Sequence, residues 1–196
     1  MPTPSSRKEL SHGRILDAAS RAIRRAGYQG VGVADIMKEA GLTHGGFYAH
    51  FESRDALLVE AMQRAGRENA STLAEGIARR EARGDSRFAA LVRSYLDDAQ
   101  LAGAECGCVV AALSSEMARQ EEVVRDEARR RVLGLISAVR AALPEGTGPD
   151  GADTVAAALV GALQLARTLG GKAGRAVLAR TREALVATWD TKNTAG

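Results

Sequence analysis

The chain has 196 residues, of which 45% are hydrophobic and 26% charged, and its formal net charge is +3. This composition is that of an ordinary soluble globular protein, and the small positive charge permits a polyanionic partner without requiring one. No apolar run reaches the roughly 20 residues of a membrane-spanning helix, the first ten residues lack the apolar stretch of a signal peptide, and the two cysteines are too few for a disulfide framework. We therefore expect a cytoplasmic protein with reduced thiols and no membrane partner.

The first fifty residues are predicted to form three short helices after a Pro/Ser-rich start that we expect to be disordered. In the first helix, apolar residues recur every four positions, at Ile15, Ala19 and Ile23. The first predicted helix ends near Gly27. The second runs from Val33 to Ala40, with Gly32 as its cap, and the third runs from its N-cap Thr43 to about Phe51.

The rest of the chain is predicted to form a bundle of longer helices. Ser53 is a good N-cap for the first of them. Later stretches with helical apolar periodicity are 88–96, 124–143, 152–169 and 175–189. The segment PEGTGPDG after Leu143 is the clearest loop, and no alternating strand pattern is seen. The sequence thus predicts an all-α fold, with a three-helix domain in residues 1–52 and a helical bundle in residues 53–196.

Two consecutive glycines, Gly45 and Gly46, interrupt the third predicted helix. Each costs about 1 kcal/mol relative to alanine inside a helix. Two short helices joined by a Gly-containing turn are typical of a helix-turn-helix, whose second helix enters the major groove of DNA. Without side chains there, the backbone could approach bases and phosphates closely. The alternative is that the glycines, Gly45 in particular, allow tight packing between the two helices.

The stretch VADIMKEAGLTHGGFYAHFESRDALL closely resembles the DNA-binding segment of the TetR/AcrR family of transcriptional regulators. The matching positions are Ile36, Ala40, Gly41, Gly45, Phe47, Tyr48, His50, Phe51 and Leu57. The close resemblance covers residues 14–62, and beyond it only the helical plan is similar. It implies a helix-turn-helix DNA-binding domain, followed by a ligand-binding and dimerisation domain, in a regulator that is not an enzyme.

The resemblance also implies roles for single residues. The predicted DNA-binding residues are Thr43, His44, Gly45, Gly46, Tyr48, Ala49, His50 and Arg54. Thr43 and Tyr48 correspond to phosphate contacts. His44, Gly46 and Ala49 occupy the base-facing positions, and His50 lies on the side that contacts the DNA backbone. Arg54 stands where the family usually has a phosphate-binding lysine, whereas Phe47 and Phe51 correspond to core residues.

The resemblance further implies a homodimer on a palindromic double-stranded DNA operator, with half-sites about 34–36 Å apart. The last two helices are rich in alanine and suit the dimer contact. The predicted interface residues are Val155, Leu159, Leu163, Leu178, Leu185 and Trp189. The competing explanation is that these residues form an intramolecular core.

The middle helices are expected to enclose a pocket for a small-molecule effector that releases a repressor from DNA. The candidate wall residues are Tyr95, Cys106, Val109, Leu113, Met117, Gln164 and Arg167, although ordinary core packing would explain each of them as well. Effector identity and operator sequence cannot be read from the chain.

Two further functions stay open. Cys106 and Cys108 fall near a predicted helix N-terminus, where a thiol is more acidic, so they could sense oxidants or electrophiles. Burial as small hydrophobic residues is the alternative. A helical enzyme or interaction module without DNA binding is the candidate from a different class. His12, His44 and His50 show no metal-ligand spacing, and we expect no catalytic residues, metal or cofactor.

Overall fold

A computed structural model of the chain describes residues 4–103, 105, 107–148 and 150–190. Within these residues the chain forms eight α-helices and two short 3₁₀ helices, and no strand, which confirms the predicted all-α fold. The α-helices are α1 (Pro4–Ala26), α2 (Val33–Glu39), α3 (Arg54–Glu81), α4 (Arg87–Tyr95), α5 (Val109–Met117), α6 (Glu122–Ala142), α7 (Gly151–Leu169) and α8 (Gly171–Trp189). The 3₁₀ helices are His44–Ala49 and Asp98–Leu101. None of the described helices is both long and apolar enough to cross a membrane.

Three predicted helices differ from the observed ones. Helix α1 begins at Pro4, so the expected disorder of the N-terminal stretch is wrong from that residue onward; proline is well tolerated in the first helical turn, where its missing N–H needs no partner. Helix α8 begins at Gly171, four residues before the predicted start at Arg175. The third predicted helix is a 3₁₀ helix, a form that is usual for pieces this short.

The described residues divide into two compact units. Unit 1 is drawn from residues 1–68 and 104–130, and unit 2 from residues 69–103 and 131–196. The functional boundary between residues 52 and 53 stays a prediction.

The core of unit 1 forms where α1 packs against α2 and α5. The predicted stripe of α1 is buried, and Ile15 and Ala19 have no exposed surface. Ser53 caps α3 as predicted, because its Oγ accepts a hydrogen bond from the Ala56 backbone N–H at 3.1 Å. This bond fixes where the connection to the preceding 3₁₀ helix ends.

The core of unit 2 is organised by α7 and α8, which pack against each other as an antiparallel pair. Gly170 connects them with a φ of +63°, in the left-handed region that favours glycine. Close to this turn, a Cβ on Gly174 would lie 2.3 Å from the carbonyl oxygen of Ala166. The two helix backbones therefore approach each other closely at a point where only glycine fits.

Replacing Gly174 with alanine should lower the free energy of unfolding by about 1–3 kcal/mol, because the new methyl group meets backbone that cannot rotate away. The matched control is Gly134→Ala in α6, where a Cβ would meet no atom within 4 Å. That change should stabilise the protein by up to about 1 kcal/mol. Urea unfolding followed by circular dichroism distinguishes the two, and equal midpoints for both variants would contradict the close approach.

Candidate nucleic-acid interface

The 3₁₀ helix His44–Ala49, here called the reading segment, separates its side chains into two faces. Phe47 is buried at 2% exposure, whereas Tyr48 is 77% exposed. The remaining exposed residues of the segment and its cap are Thr43, His44, Gly45 and Ala49. Most of the predicted DNA-binding residues thus lie together on one accessible surface, with the two predicted core phenylalanines turned away from it.

Aromatic rings anchor the reading segment. The Phe47 ring stacks against Phe51 at a centroid distance of 5.6 Å, and Phe51 in turn stacks on His12 of α1 at 4.6 Å. Tyr48 meets Phe47 edge to face at 5.2 Å. Such pairs are worth about 0.5–1.5 kcal/mol beyond their buried area, so the segment is held by its inner face while its outer face stays exposed.

The two glycines of the reading segment have no internal explanation. Neither has a positive φ, so backbone conformation does not require glycine. A Cβ on Gly45 would meet no atom within 4 Å, and one on Gly46 would lie at an ordinary contact distance of 3.7 Å from Met37 Cε. The alternative that Gly45 permits tight helix packing is therefore not supported in the described structure. Among the described residues, neither packing nor backbone conformation therefore requires glycine at these two positions.

A side chain that sequence reasoning missed fixes the turn before the reading segment. The guanidinium of Arg14 donates from Nε to the Ala40 carbonyl at 3.0 Å and from a terminal nitrogen to the Gly41 carbonyl at 3.3 Å. Gly41 has a φ of +70°, and a Cβ there would lie 2.8 Å from Arg14. The positive φ favours glycine at 41, and the missing Cβ leaves room for the Arg14 guanidinium. The signal for Arg14 in the sequence was weak, because an arginine beside a helical apolar stripe is ordinarily solvated.

His50 follows the reading segment and is half-buried. Burial, together with the positive charges of His12 and Lys8, holds the pKa of His50 below its ordinary value. This lowered pKa favours the neutral imidazole. Its Nδ1 is buried without a hydrogen-bond partner among the described residues, while His12 Nε2 lies 2.8 Å from the Glu60 carboxylate.

Arg54, the predicted phosphate ligand in the first turn of α3, is half-buried. One terminal nitrogen of its guanidinium donates to the backbone carbonyl of Tyr28. This bond orients the side chain from the protein side. A guanidinium has five N–H donors in a planar fork, so the bond to Tyr28 leaves donors for a second acceptor.

The predicted pocket residues fall in both units. In unit 1, Val109, Leu113 and Met117 are buried on one face of α5. In unit 2, Tyr95 is buried, and Arg167 donates from Nε to the Gln100 carbonyl at 3.2 Å. Gln164, also in unit 2, is half-buried, and Cys106 lies outside the described residues. A common pocket for these residues stays a prediction.

A different cleft, of about 670 Å³, lies within unit 2. Its lining residues are Arg80, Arg93, Ala179, Arg182, Glu183, Val186, Ala187 and Asp190, none of which was predicted for the pocket. The guanidinium groups are already paired; Arg80 lies 2.9 Å from Asp97 and Arg182 lies 3.0 Å from Asp98. The cleft is thus lined by ion-paired arginines together with the apolar side chains of Ala179, Val186 and Ala187.

Most of the predicted interface residues are buried in the interior of unit 2. Those that are buried within the single chain are Val155, Leu159, Leu163, Leu178 and Leu185, and Trp189 is half-buried. A side chain with no exposed surface cannot touch a second copy directly. Their burial favours the alternative of an intramolecular core, so a dimer contact on α7 would need the opposite face of that helix.

Cys108 occupies the N-cap position of α5, close to the predicted helix start, and is 4% exposed. Such burial matches the packing alternative better than that of an accessible sensor thiol. The second cysteine of the pair, Cys106, is outside the described part of the chain.

Comparisons with known proteins agree with this arrangement. The family described as bacterial regulatory proteins of the tetR family matches residues 15–61. The HTH-type transcriptional repressor NemR of Escherichia coli (strain K12) is 25% identical over 132 residues, 67% of this chain and 66% of NemR. The HTH-type transcriptional repressor DhaR of Mycobacterium sp. (strain GP1) is 30% identical over 120 residues, 59% of this chain and 57% of DhaR. The chain thus spans less than two thirds of either relative, 66% of NemR and 57% of DhaR.

Solved structures share the fold over nearly the whole chain. Reduced E. coli NemR superimposes with a TM-score of 0.74 at 21% identity, covering 91% of this chain and 97% of NemR. A TetR transcriptional regulator from Chloroflexus aurantiacus J-10-FL gives 0.72 at 19% identity, covering 92% and 94%. Together these findings show that residues 15–61 match the tetR family of bacterial regulatory proteins and that the chain has the fold of solved TetR regulators.

Proposed function

We propose that this chain is a homodimeric transcriptional repressor that binds a palindromic operator and leaves it when a small-molecule effector binds its C-terminal part. Two relatives, NemR and DhaR, are named as HTH-type transcriptional repressors. The observation that carries the proposal is the reading segment, which contains an exposed and a half-buried glycine, Gly45 and Gly46, that neither packing nor backbone conformation requires. A close approach to DNA supplies the missing reason.

Within this proposal, few side chains are left to read bases directly. At the base-facing positions, Gly46 has no side chain and Ala49 has only a methyl group, which leaves His44 as the one side chain with ring nitrogens. Specificity would then depend on His44, on backbone proximity and on the sequence-dependent shape of the DNA. Thr43, Tyr48, His50 and Arg54 would hold the phosphates.

The proposed dimer contact moves to the outward face of α7. Ala157, Gly161, Leu165 and Leu169 follow each other every four residues along the helix. Leu165 and Leu169 are 60% and 57% exposed, and a Cβ on Gly161 would meet no atom within 4 Å. Small residues beside exposed leucines suit close contact between two helices, and association would remove this apolar surface from water.

The two other candidate functions have less support. A thiol sensor would need an accessible thiolate, but Cys108 is buried. A helical enzyme does not fit a family of regulators, to which residues 15–61 match. Neither of these alternatives accounts for the two glycines of the reading segment.

The proposed function is tested by a gel shift of the purified protein with the DNA upstream of its own gene. We expect a shift whose affinity falls steeply with salt, because phosphate contacts release counterions. Tyr48→Ala should weaken the shift by tenfold or more, with only a small loss of thermal stability, since this side chain is largely exposed and its ring contact among the described residues is with Phe47 alone. Absence of a shift with this DNA and with a random duplex library would refute the function.

Gly45→Ala and Gly46→Ala separate folding from DNA binding. Each should leave the free energy of unfolding unchanged or raise it by up to about 1 kcal/mol, because the methyl group finds space in the free protein. Affinity for the operator should nonetheless fall about tenfold, measured by fluorescence anisotropy. Gly134→Ala serves as the control with unchanged affinity. Wild-type affinity in both variants would remove the close-approach explanation.

Gly161→Arg tests the dimer contact. The Cβ of the new side chain would meet no atom within 4 Å in the single chain, but the arginine would block a second copy on α7. Sedimentation velocity at micromolar concentration should show a dimer for the wild type and a monomer for this variant. Gly134→Arg introduces the same charge on α6 and should remain dimeric. A Gly161→Arg dimer would place the contact elsewhere.

A further inference from the structure

One buried residue of unit 1 connects α5 to the start of α3. Tyr28, just after α1, has no exposed surface. Its backbone N–H donates to Glu116 Oε2 of α5 at 3.1 Å, and its backbone carbonyl accepts from the Arg54 guanidinium. Its hydroxyl donates to Met62 Sδ of α3 at 2.8 Å. Every polar group of this residue is thus engaged by another element.

The Glu116 carboxylate is closely fitted to the end of α1. Gly27 has a φ of +76°, and a Cβ there would lie 2.3 Å from Glu116 Oε1. Glycine at this position satisfies both the left-handed conformation and the close contact with the carboxylate. Glu116 therefore holds the Gly27–Tyr28 turn in place, in the same helix as the predicted pocket residues Leu113 and Met117.

The buried side chain of Tyr28 is held in one position by its surroundings. Burial raises the pKa of the Tyr28 phenol well above its ordinary value, and the negative charges of Glu116 and Glu127 add to the effect. The hydroxyl stays protonated and keeps its bond to Met62. The side chain of Tyr28 is therefore fixed. The hydrogen bonds of its backbone N–H and carbonyl connect it to Glu116 and to Arg54.

We infer that Glu116 is a positioning residue for DNA binding, which acts through Tyr28 on the phosphate-facing guanidinium of Arg54. The inference rests on the proposed function. Glu116 holds the backbone N–H of Tyr28, and the backbone carbonyl of Tyr28 holds one nitrogen of the Arg54 guanidinium. The remaining donors of Arg54 therefore point in one direction. A displacement of α5 breaks the bond to Tyr28 and releases Arg54 from the geometry that suits a phosphate.

The test uses the full chain and an operator selected from a random duplex library with the wild-type protein. Glu116→Ala should lose about tenfold in affinity by fluorescence anisotropy. Glu116→Gln should stay within about threefold of wild type, because its amide oxygen still accepts the Tyr28 N–H. Glu121→Ala, an exposed glutamate before α6, is the matched control and should bind as wild type.

Two readouts distinguish positioning from general damage. In an Arg54→Ala background, Glu116→Ala should cause little further weakening, because both changes remove the same interaction with DNA. The slope of log affinity against log salt should fall by about 0.9 for each phosphate that the protein no longer neutralises, and by the same amount in Glu116→Ala as in Arg54→Ala. A merely destabilised protein would bind less without a change of slope.

The outcomes are separable. If the wild type selects no duplex, the proposed function fails. If the wild type binds and Glu116→Ala binds equally well, or if its effect adds fully to that of Arg54→Ala with an unchanged salt slope, the positioning role is overturned while the function stands. Should Glu116→Ala prove unfolded by circular dichroism, Glu116→Asp, whose shorter side chain cannot reach Tyr28 in the same geometry, replaces it with the same expectations.

Discussion

A six-residue 3₁₀ helix with two adjacent glycines has almost no stability of its own, so its position depends on the rings of its inner face. Phe47 and Phe51 stack on each other, and Phe51 stacks on His12 of α1. These contacts bury one side of the segment and leave the other side exposed. Helix nucleation is unfavourable for so short a piece, and tertiary packing must replace it. The position of the exposed surface of the reading segment is therefore set by the core beneath it.

The fold was largely predictable because its signals are local. The apolar stripe of α1, the Ser53 cap and the proline-glycine loop after α6 each act within a few residues, and the structure agrees with all three. The helical state at Pro4 was missed because a Pro/Ser-rich composition is typical of disordered ends. The 3₁₀ form of the reading segment was missed because periodicity over six residues cannot separate it from an α-helix.

The site was predictable only in part, since its geometry depends on contacts between distant residues. The resemblance located the exposed positions of the reading segment. It did not indicate that Arg14 would hold the Ala40 and Gly41 carbonyls, or that Arg54 would be bonded to Tyr28. Likewise, apolar periodicity on α7 identifies a face that must be covered, but not whether the same chain or a second one covers it. The buried Leu159 and the exposed Leu165 belong to different faces of that helix.

The hydrogen bonds from Arg14 to the carbonyls after α2 have a consequence for which residues can change in evolution. Arg14 of α1 holds the turn after α2, and the rings of Phe47 and Phe51 hold the buried side of the reading segment. His44, Gly46 and Ala49 therefore contribute little to folding. Changes at these three sites can therefore accumulate without loss of the native state. A duplicated gene could thus change the exposed surface of this segment through a few substitutions, while its scaffold stays intact.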